Sequence, residues 1–142
     1  MPMRTPVRAH WRVTALLAGA LYTVVGVAFG MFAGAAATEP LRLAWRWSAF
    51  VVSGFVFIAH VAHEQLRLRS PARSLAGHAA GGAALGGLGL ALAANLHELA
   101  SATGYRPRLL IALFAWPALT AVPAFVIALL LATLLGRERR TR

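Results

Sequence analysis

The stretch SGFVFIAHVAHEQLRLRSPARSLAGH, residues 53–78, decides the fold, because it contains the end of one apolar segment and the start of the next. The segments on either side are each long enough to cross a bilayer, which takes about 20 apolar residues. Between them, Ser70-Pro71 is typical of a helix start, since serine caps the first turn and proline fits the first helical position. The stretch therefore predicts a tight hairpin of two membrane helices.

The composition of the whole chain predicts that lipid is its solvent. Of the 142 residues, 59% are hydrophobic and only 13% are charged, about half the share of charge in a globular protein. The mean hydropathy is +0.68. A chain of this length forms one domain, so we predict a single integral membrane domain over residues 1–142.

Four segments are apolar enough to form transmembrane helices. The first follows a basic, proline-containing arm, which is predicted to be irregular, and the second begins at Thr38-Glu39-Pro40, another capped start. Gly104 interrupts the chain before the last segment. We predict an all-α membrane protein, a four-transmembrane-helix bundle, with helices at about 11–35, 39–69, 71–99 and 107–135.

The distribution of arginine predicts the topology. The chain has 14 arginines and neither lysine nor aspartate. Ten arginines lie in the N-terminal arm, the hairpin turn and the C-terminal tail, and four lie on the opposite side. The positive-inside rule then places both termini and the hairpin turn in the cytoplasm, with the chain in a bacterial inner membrane. The basic surface favours anionic lipid headgroups as partners over nucleic acid.

Glycines indicate where helices pack closely. The third segment holds six glycines between residues 77 and 89, and small residues let membrane helices approach each other. We therefore expect the third helix to be the most buried. In the first segment, Gly26, Gly30 and Gly34 form a stripe that is either a dimer face or a packing seam inside the bundle. We favour the seam, because the chain itself supplies neighbouring helices.

The hairpin also contains the candidate site. His60, His63 and Glu64 are spaced i, i+3, i+4 and so share one helix face, and His78 lies at a similar depth on the next helix. Histidines with a carboxylate suit a divalent transition metal, and histidines on facing helices can hold a haem b. The sequence therefore offers His60, His63 and His78 as haem ligands, or the same three with Glu64 as metal ligands.

A simpler interpretation explains the same residues without a ligand. Histidines near the membrane surface often bind headgroups or backbone, and Glu64 could pair with Arg67 at i+3. His97 and Glu98 form a second pair at the opposite membrane surface, where no further histidine is available for a haem. We expect Glu98 to pair with one of the nearby arginines, Arg46, Arg106 or Arg108.

The absent features narrow the function. The chain has no cysteine, which excludes thiolate metal sites and covalent haem attachment, and it has no nucleotide-binding or catalytic-triad motif. No charged residue occupies the middle of a span, which disfavours ion-coupled transport. These observations favour a non-enzymatic accessory or scaffold subunit that self-associates or joins a larger membrane complex. One alternative is a haem- or metal-binding redox or metal-handling protein. The other is a small-molecule or lipid transporter that uses the bends at Pro117 and Pro123.

Overall fold

The structure, a computed structural model, confirms the all-helical fold. It describes residues 7–68, 70–101 and 108–138, with side chains from residue 11 to residue 134 outside the two gaps. Over these residues, four helices are long and apolar enough to cross a membrane. The elements are α1 Val7–Ala35, α2 Glu39–His63, a π-helical turn Glu64–Leu68, α3 Ala72–Ala100 and α4 Arg108–Glu138.

The start of α1 differs from the prediction. The helix begins at Val7 rather than near residue 11, because no residue between Val7 and Trp11 breaks a helix. The predicted turn around Gly104 and the last four residues of the basic tail lie outside the described residues. Pro117 and Pro123 both lie inside a continuous α4.

The starts of α2 and α3 are correctly placed, and Thr38 occupies the N-cap of α2 as predicted, but neither helix has the predicted capping hydrogen bond. Thr38 adopts an extended backbone before α2, and its side chain makes no capping hydrogen bond. Pro71 takes the capping position of α3, where Ser70 was expected. A capping bond is made by the side chain of the N-cap residue itself, and Ser70 lies one position before it. Ser70 is therefore free to bond elsewhere, as described below.

Helix α3 is central in the arrangement. It packs along α1 on one side and along α4 on the other, whereas α2 packs mainly on α1 and makes few contacts with α3. The residues buried in α3 include Leu75, Ala76, Gly82, Gly86 and Gly87. The prediction that the glycine-rich helix is the most buried is confirmed, since α3 holds the largest buried share among the four candidate spans.

Small residues bring α1 and α3 into close contact. A Cβ added to Gly19 would lie 2.6 Å from the Leu85 Cβ, and the Thr23 Oγ1 lies 3.4 Å from the Gly86 carbonyl oxygen. Further along both helices, Gly26 meets Leu90. Since successive residues of α1 meet successive residues of α3 in the same order, the two helices run parallel.

The glycine stripe of α1 is only partly a packing seam. Gly26 packs on α3 as expected, but a Cβ at Gly30 or Gly34 would have no atom within 4 Å among residues 7–68, 70–101 and 108–138. No described residue therefore supports the seam interpretation for Gly30 and Gly34. Helices that cross at an angle separate beyond their contact point, so a regular stripe in sequence need not be covered along its whole length.

Helices α3 and α4 approach as closely as α1 and α3. The Thr120 Oγ1 donates to the carbonyl oxygen of Ala83 across the interface, at 3.0 Å. Nearer the opposite end, the Asn95 side chain donates to the Leu109 carbonyl oxygen at 2.9 Å. Two polar side chains thus tie α4 to α3 at different depths.

The hydrophobic core lies at the end of the molecule that carries the turn between α2 and α3, which we call the hairpin end. It consists of Val61, Leu75, Ala76, Ala79, Ala128 and Ala132. Large apolar side chains point outward along the helices instead, among them Phe50, Phe55, Phe114 and Leu119. Such an outer surface is stable in hydrocarbon and unfavourable in water.

Candidate functional site: a buried carboxyl group at the hairpin end

Glu64 is the first residue of the π-helical turn that ends α2, and its side chain is fully buried, at 0% exposure. The backbone N–H of Glu64 still donates to the carbonyl oxygens of His60 and Val61. Its own carbonyl oxygen accepts from the N–H of Ser70 at 3.4 Å. Single π-helical turns inside helices often mark functional positions, and this one places Glu64 beneath the turn into α3.

The carboxyl group of Glu64 contacts polar groups from three other parts of the chain. The Ser70 hydroxyl donates to its Oε2 at 2.9 Å, and the His78 Nδ1 lies 3.1 Å from the same oxygen. The Thr14 hydroxyl donates to Oε1 at 3.5 Å. We call Thr14, Glu64, Ser70 and His78 the Glu64 cluster; it joins α1, the end of α2, the hairpin turn and α3.

Aromatic stacking supports the His78 side of this cluster. The Trp11 ring lies parallel to the His78 imidazole, with centroids 4.3 Å apart and planes 6° from parallel. The guanidinium carbon of Arg12 lies 5.6 Å from the Trp11 ring centroid. The His78 ring is therefore fixed by a hydrogen-bond partner at its edge and by an aromatic ring on its face.

The structure brings together only part of the predicted site. Glu64 and His78 meet across the hairpin, as their similar depth predicted. The interpretation of Glu64 as a surface carboxylate is wrong, because the side chain is fully buried. Among the described residues, the basic side chain within hydrogen-bond distance of its carboxyl group is that of His78 rather than Arg67. His63 is exposed. Around the helix axis, His63 and Glu64 lie on opposite sides of His60, and only the side of Glu64 faces the interior.

His60 lies outside the Glu64 cluster. Its side chain is only 6% exposed, and neither ring nitrogen has a hydrogen-bond partner among the described residues. The Cε1 edge of the ring faces α3 so closely that a Cβ added to Gly82 would lie 3.2 Å from it. Burying a polar group without a hydrogen-bond partner lowers the stability of the fold. Packing alone therefore does not account for the buried position of His60.

The geometry does not support the predicted haem or metal site. Within residues 7–68, 70–101 and 108–138, no three histidine or acidic side chains are placed to hold a metal ion. His60, His63, Glu64 and His78 therefore do not form one ligand set there. His97 at the other end is exposed. Arg106, one expected partner of Glu98, lies outside the described residues.

Several residues of the Glu64 cluster were not predicted as site residues. The pattern Ser70-Pro71 predicted that Ser70 is a helix cap, but its hydroxyl instead donates a hydrogen bond to the Glu64 carboxyl group. Thr14 and Trp11 carried no signal, because helix periodicity does not show which residues of α1 face the hairpin. Asn95 is buried too, and an asparagine within an apolar span would have indicated a bond between helices.

The fold and the site together define a class: an all-helical protein with helices suited to a membrane, whose buried carboxyl group joins helices to each other. No protein family, curated protein or solved structure matches the chain. Inferences about function therefore depend on the residues themselves.

Proposed function

We propose that this protein is a non-enzymatic accessory or scaffold subunit of a bacterial inner membrane, with the hairpin end on the cytoplasmic side. The arginine-rich N-terminal arm, hairpin turn and tail support this orientation. Two of the three buried polar side chains among the described residues, Glu64 and Asn95, bond one part of the chain to another. They stabilise the helix arrangement, and this use of polar groups suits a scaffold better than a catalyst.

The observation that carries the proposal is the uncovered part of the small-residue face of α1. Gly19 and Gly26 on this face pack against α3, whereas a Cβ at Gly30 or Gly34 would meet no atom of the described residues within 4 Å. In membranes, where apolar side chains gain nothing by leaving lipid, small residues favour association because they let backbones approach. The open half of the face is therefore suited to a helix from a second copy or from a larger membrane complex.

The alternatives have less support. A haem- or metal-binding role for His60, His63, Glu64 and His78 has no favourable geometry among the described residues. A transporter would need an ionisable or polar path through the middle of the spans, where the buried contacts are between glycine, threonine and apolar side chains.

The scaffold proposal predicts cross-linking at Gly30 and Gly34. The natural chain has no cysteine, so Gly30→Cys and Gly34→Cys each introduce a unique thiol. Oxidation in native membranes, or a thiol-attached photo-cross-linker, should trap a second copy or a larger membrane protein. The yield should be several-fold higher than from Leu119→Cys, a control on the 68% exposed Leu119 of α4.

A negative result would be equally clear. Equal, low yields from all three cysteine variants, together with a strictly monomeric mass in lipid nanodiscs, would rule out assembly through the open face of α1. Dimers alone would identify self-association, and adducts of higher mass would identify a different partner.

A further inference from the structure

A groove separates α1 from α2 beside the Glu64 cluster. Its volume is about 210 Å³. The α1 wall contains Thr14, Leu17 and Leu21, and the α2 wall contains Val56, Ala59, His60 and His63. Thr14 and Leu21 are seven residue steps apart, which corresponds to about 10 Å along a helix. The groove thus runs from the hairpin end inward, and its walls become wholly apolar with depth.

His60 is a polar residue in the wall of this groove, and the hydrogen-bonding capacity of its ring is not satisfied by the described residues. The side chain lines the groove, yet both ring nitrogens are shielded from solvent and have no partner among the described residues. A buried hydrogen-bonding group without a partner costs about 1–3 kcal/mol. Rotation of the imidazole about its side-chain bonds would bring a ring nitrogen to the groove, where a ligand with an acceptor would supply the missing bond.

The positions of the polar residues match the depth profile of a phospholipid. His63 is exposed at the mouth of the groove, and Arg67, also exposed, follows four residues later. His60 lies one helical turn deeper, and the apolar residues Leu17, Leu21 and Val56 line the walls. A phospholipid presents a phosphate at the surface, ester carbonyls a few ångströms below and hydrocarbon beneath them.

We propose that the groove between α1 and α2 binds one anionic diacyl phospholipid. The phosphate contacts His63 and Arg67, an ester carbonyl accepts a hydrogen bond from His60, and an acyl chain lies against Leu17, Leu21 and Val56. The net charge of +10 favours an anionic headgroup. This site is independent of the open face of α1, so it holds whether or not the protein is a scaffold.

The test measures lipid binding to the purified full chain by native mass spectrometry. Delipidated protein in detergent is titrated with phosphatidylglycerol or with phosphatidylcholine of the same acyl chains. We expect one tightly bound phosphatidylglycerol and several-fold weaker binding of phosphatidylcholine. Ala59→Phe, an exposed position within the groove, should weaken phosphatidylglycerol binding by about tenfold or more.

Matched variants separate the groove from other effects. Ala118→Phe makes the same change at an exposed position of α4 outside the groove, and binding should match the natural protein. The double variant His63→Ala/Arg67→Gln, which changes only exposed residues, should remove the preference for phosphatidylglycerol even if Ala59→Phe fails to fold. His60→Phe keeps an aromatic ring and should lower affinity several-fold through the lost hydrogen bond.

Three results would overturn the proposal. The first is equal phosphatidylglycerol binding by the natural protein, Ala59→Phe and Ala118→Phe. The second is equal retention of phosphatidylglycerol and phosphatidylcholine by the natural protein. The third is retention of a fatty acid or a quinone in place of a phospholipid, which would give the groove an occupant without a phosphate.

Discussion

Replacing Glu64 with alanine is expected to lower the free energy of unfolding by about 2 to 5 kcal/mol, the usual cost of truncating a large buried side chain to alanine. The change removes the group that Thr14, Ser70 and His78 contact. It also leaves a cavity at a position with 0% exposure. The measurement is reversible unfolding in detergent, followed by circular dichroism or tryptophan fluorescence.

The control is the glutamate at the other end of α2. Glu39 pairs with Arg42 at 3.0 Å, but its side chain is 59% exposed. An exposed pair contributes no more than about 1 kcal/mol, so Glu39→Ala should leave stability nearly unchanged. If both substitutions cost the same small amount, the Glu64 cluster does not stabilise the hairpin end.

Gly87→Ala is expected to destabilise the contact between α3 and α4 by about 1 to 3 kcal/mol, the usual cost of overpacking. The added Cβ would lie 2.6 Å from the Thr120 Oγ1 and 2.8 Å from the Trp116 carbonyl oxygen. The second of these is a backbone atom, so it cannot give way by a side-chain rotation. The helices must separate, and Thr120 then loses its bond to Ala83.

The matched control for Gly87 lies on the same helix. A Cβ at Gly81 would meet no atom of the described part of the chain within 4 Å, and alanine is the better helix former by about 1 kcal/mol. Gly81→Ala should therefore leave the unfolding free energy unchanged or raise it. The same detergent unfolding experiment checks both variants, and a Gly87→Ala protein as stable as Gly81→Ala would show that α3 and α4 are less tightly packed.

Hydropathy alone was enough to predict the four helices and most of their ends. Long uncharged runs have few structural alternatives in a membrane, because every backbone hydrogen bond must be made within the segment. Glycine content likewise predicted that α3 is the buried helix. These features depend on composition along one segment, which a single sequence shows directly.

The contacts between segments were much harder to predict. Glu64 is buried because of the π-helical turn and because α1 lies over the hairpin. Neither feature can be predicted from the spacing of residues 60–64. Ser70 was interpreted as a cap because local bonding is the common use of serine before a proline. Gly30 and Gly34 continue a regular stripe, yet none of the residues that the structure describes covers them.

The most direct test of the Glu64 cluster is a double-mutant cycle between Glu64 and His78, whose side chains lie 3.1 Å apart. The unfolding free energies of Glu64→Ala, His78→Ala and the double variant give the coupling between the two side chains. Residues in direct contact within one hydrogen-bond network couple by about 0.5 to 3 kcal/mol, and we predict a value of about 1 kcal/mol or more. Additive effects, with a coupling below about 0.3 kcal/mol, would contradict the role of Glu64 as the residue that joins the helices.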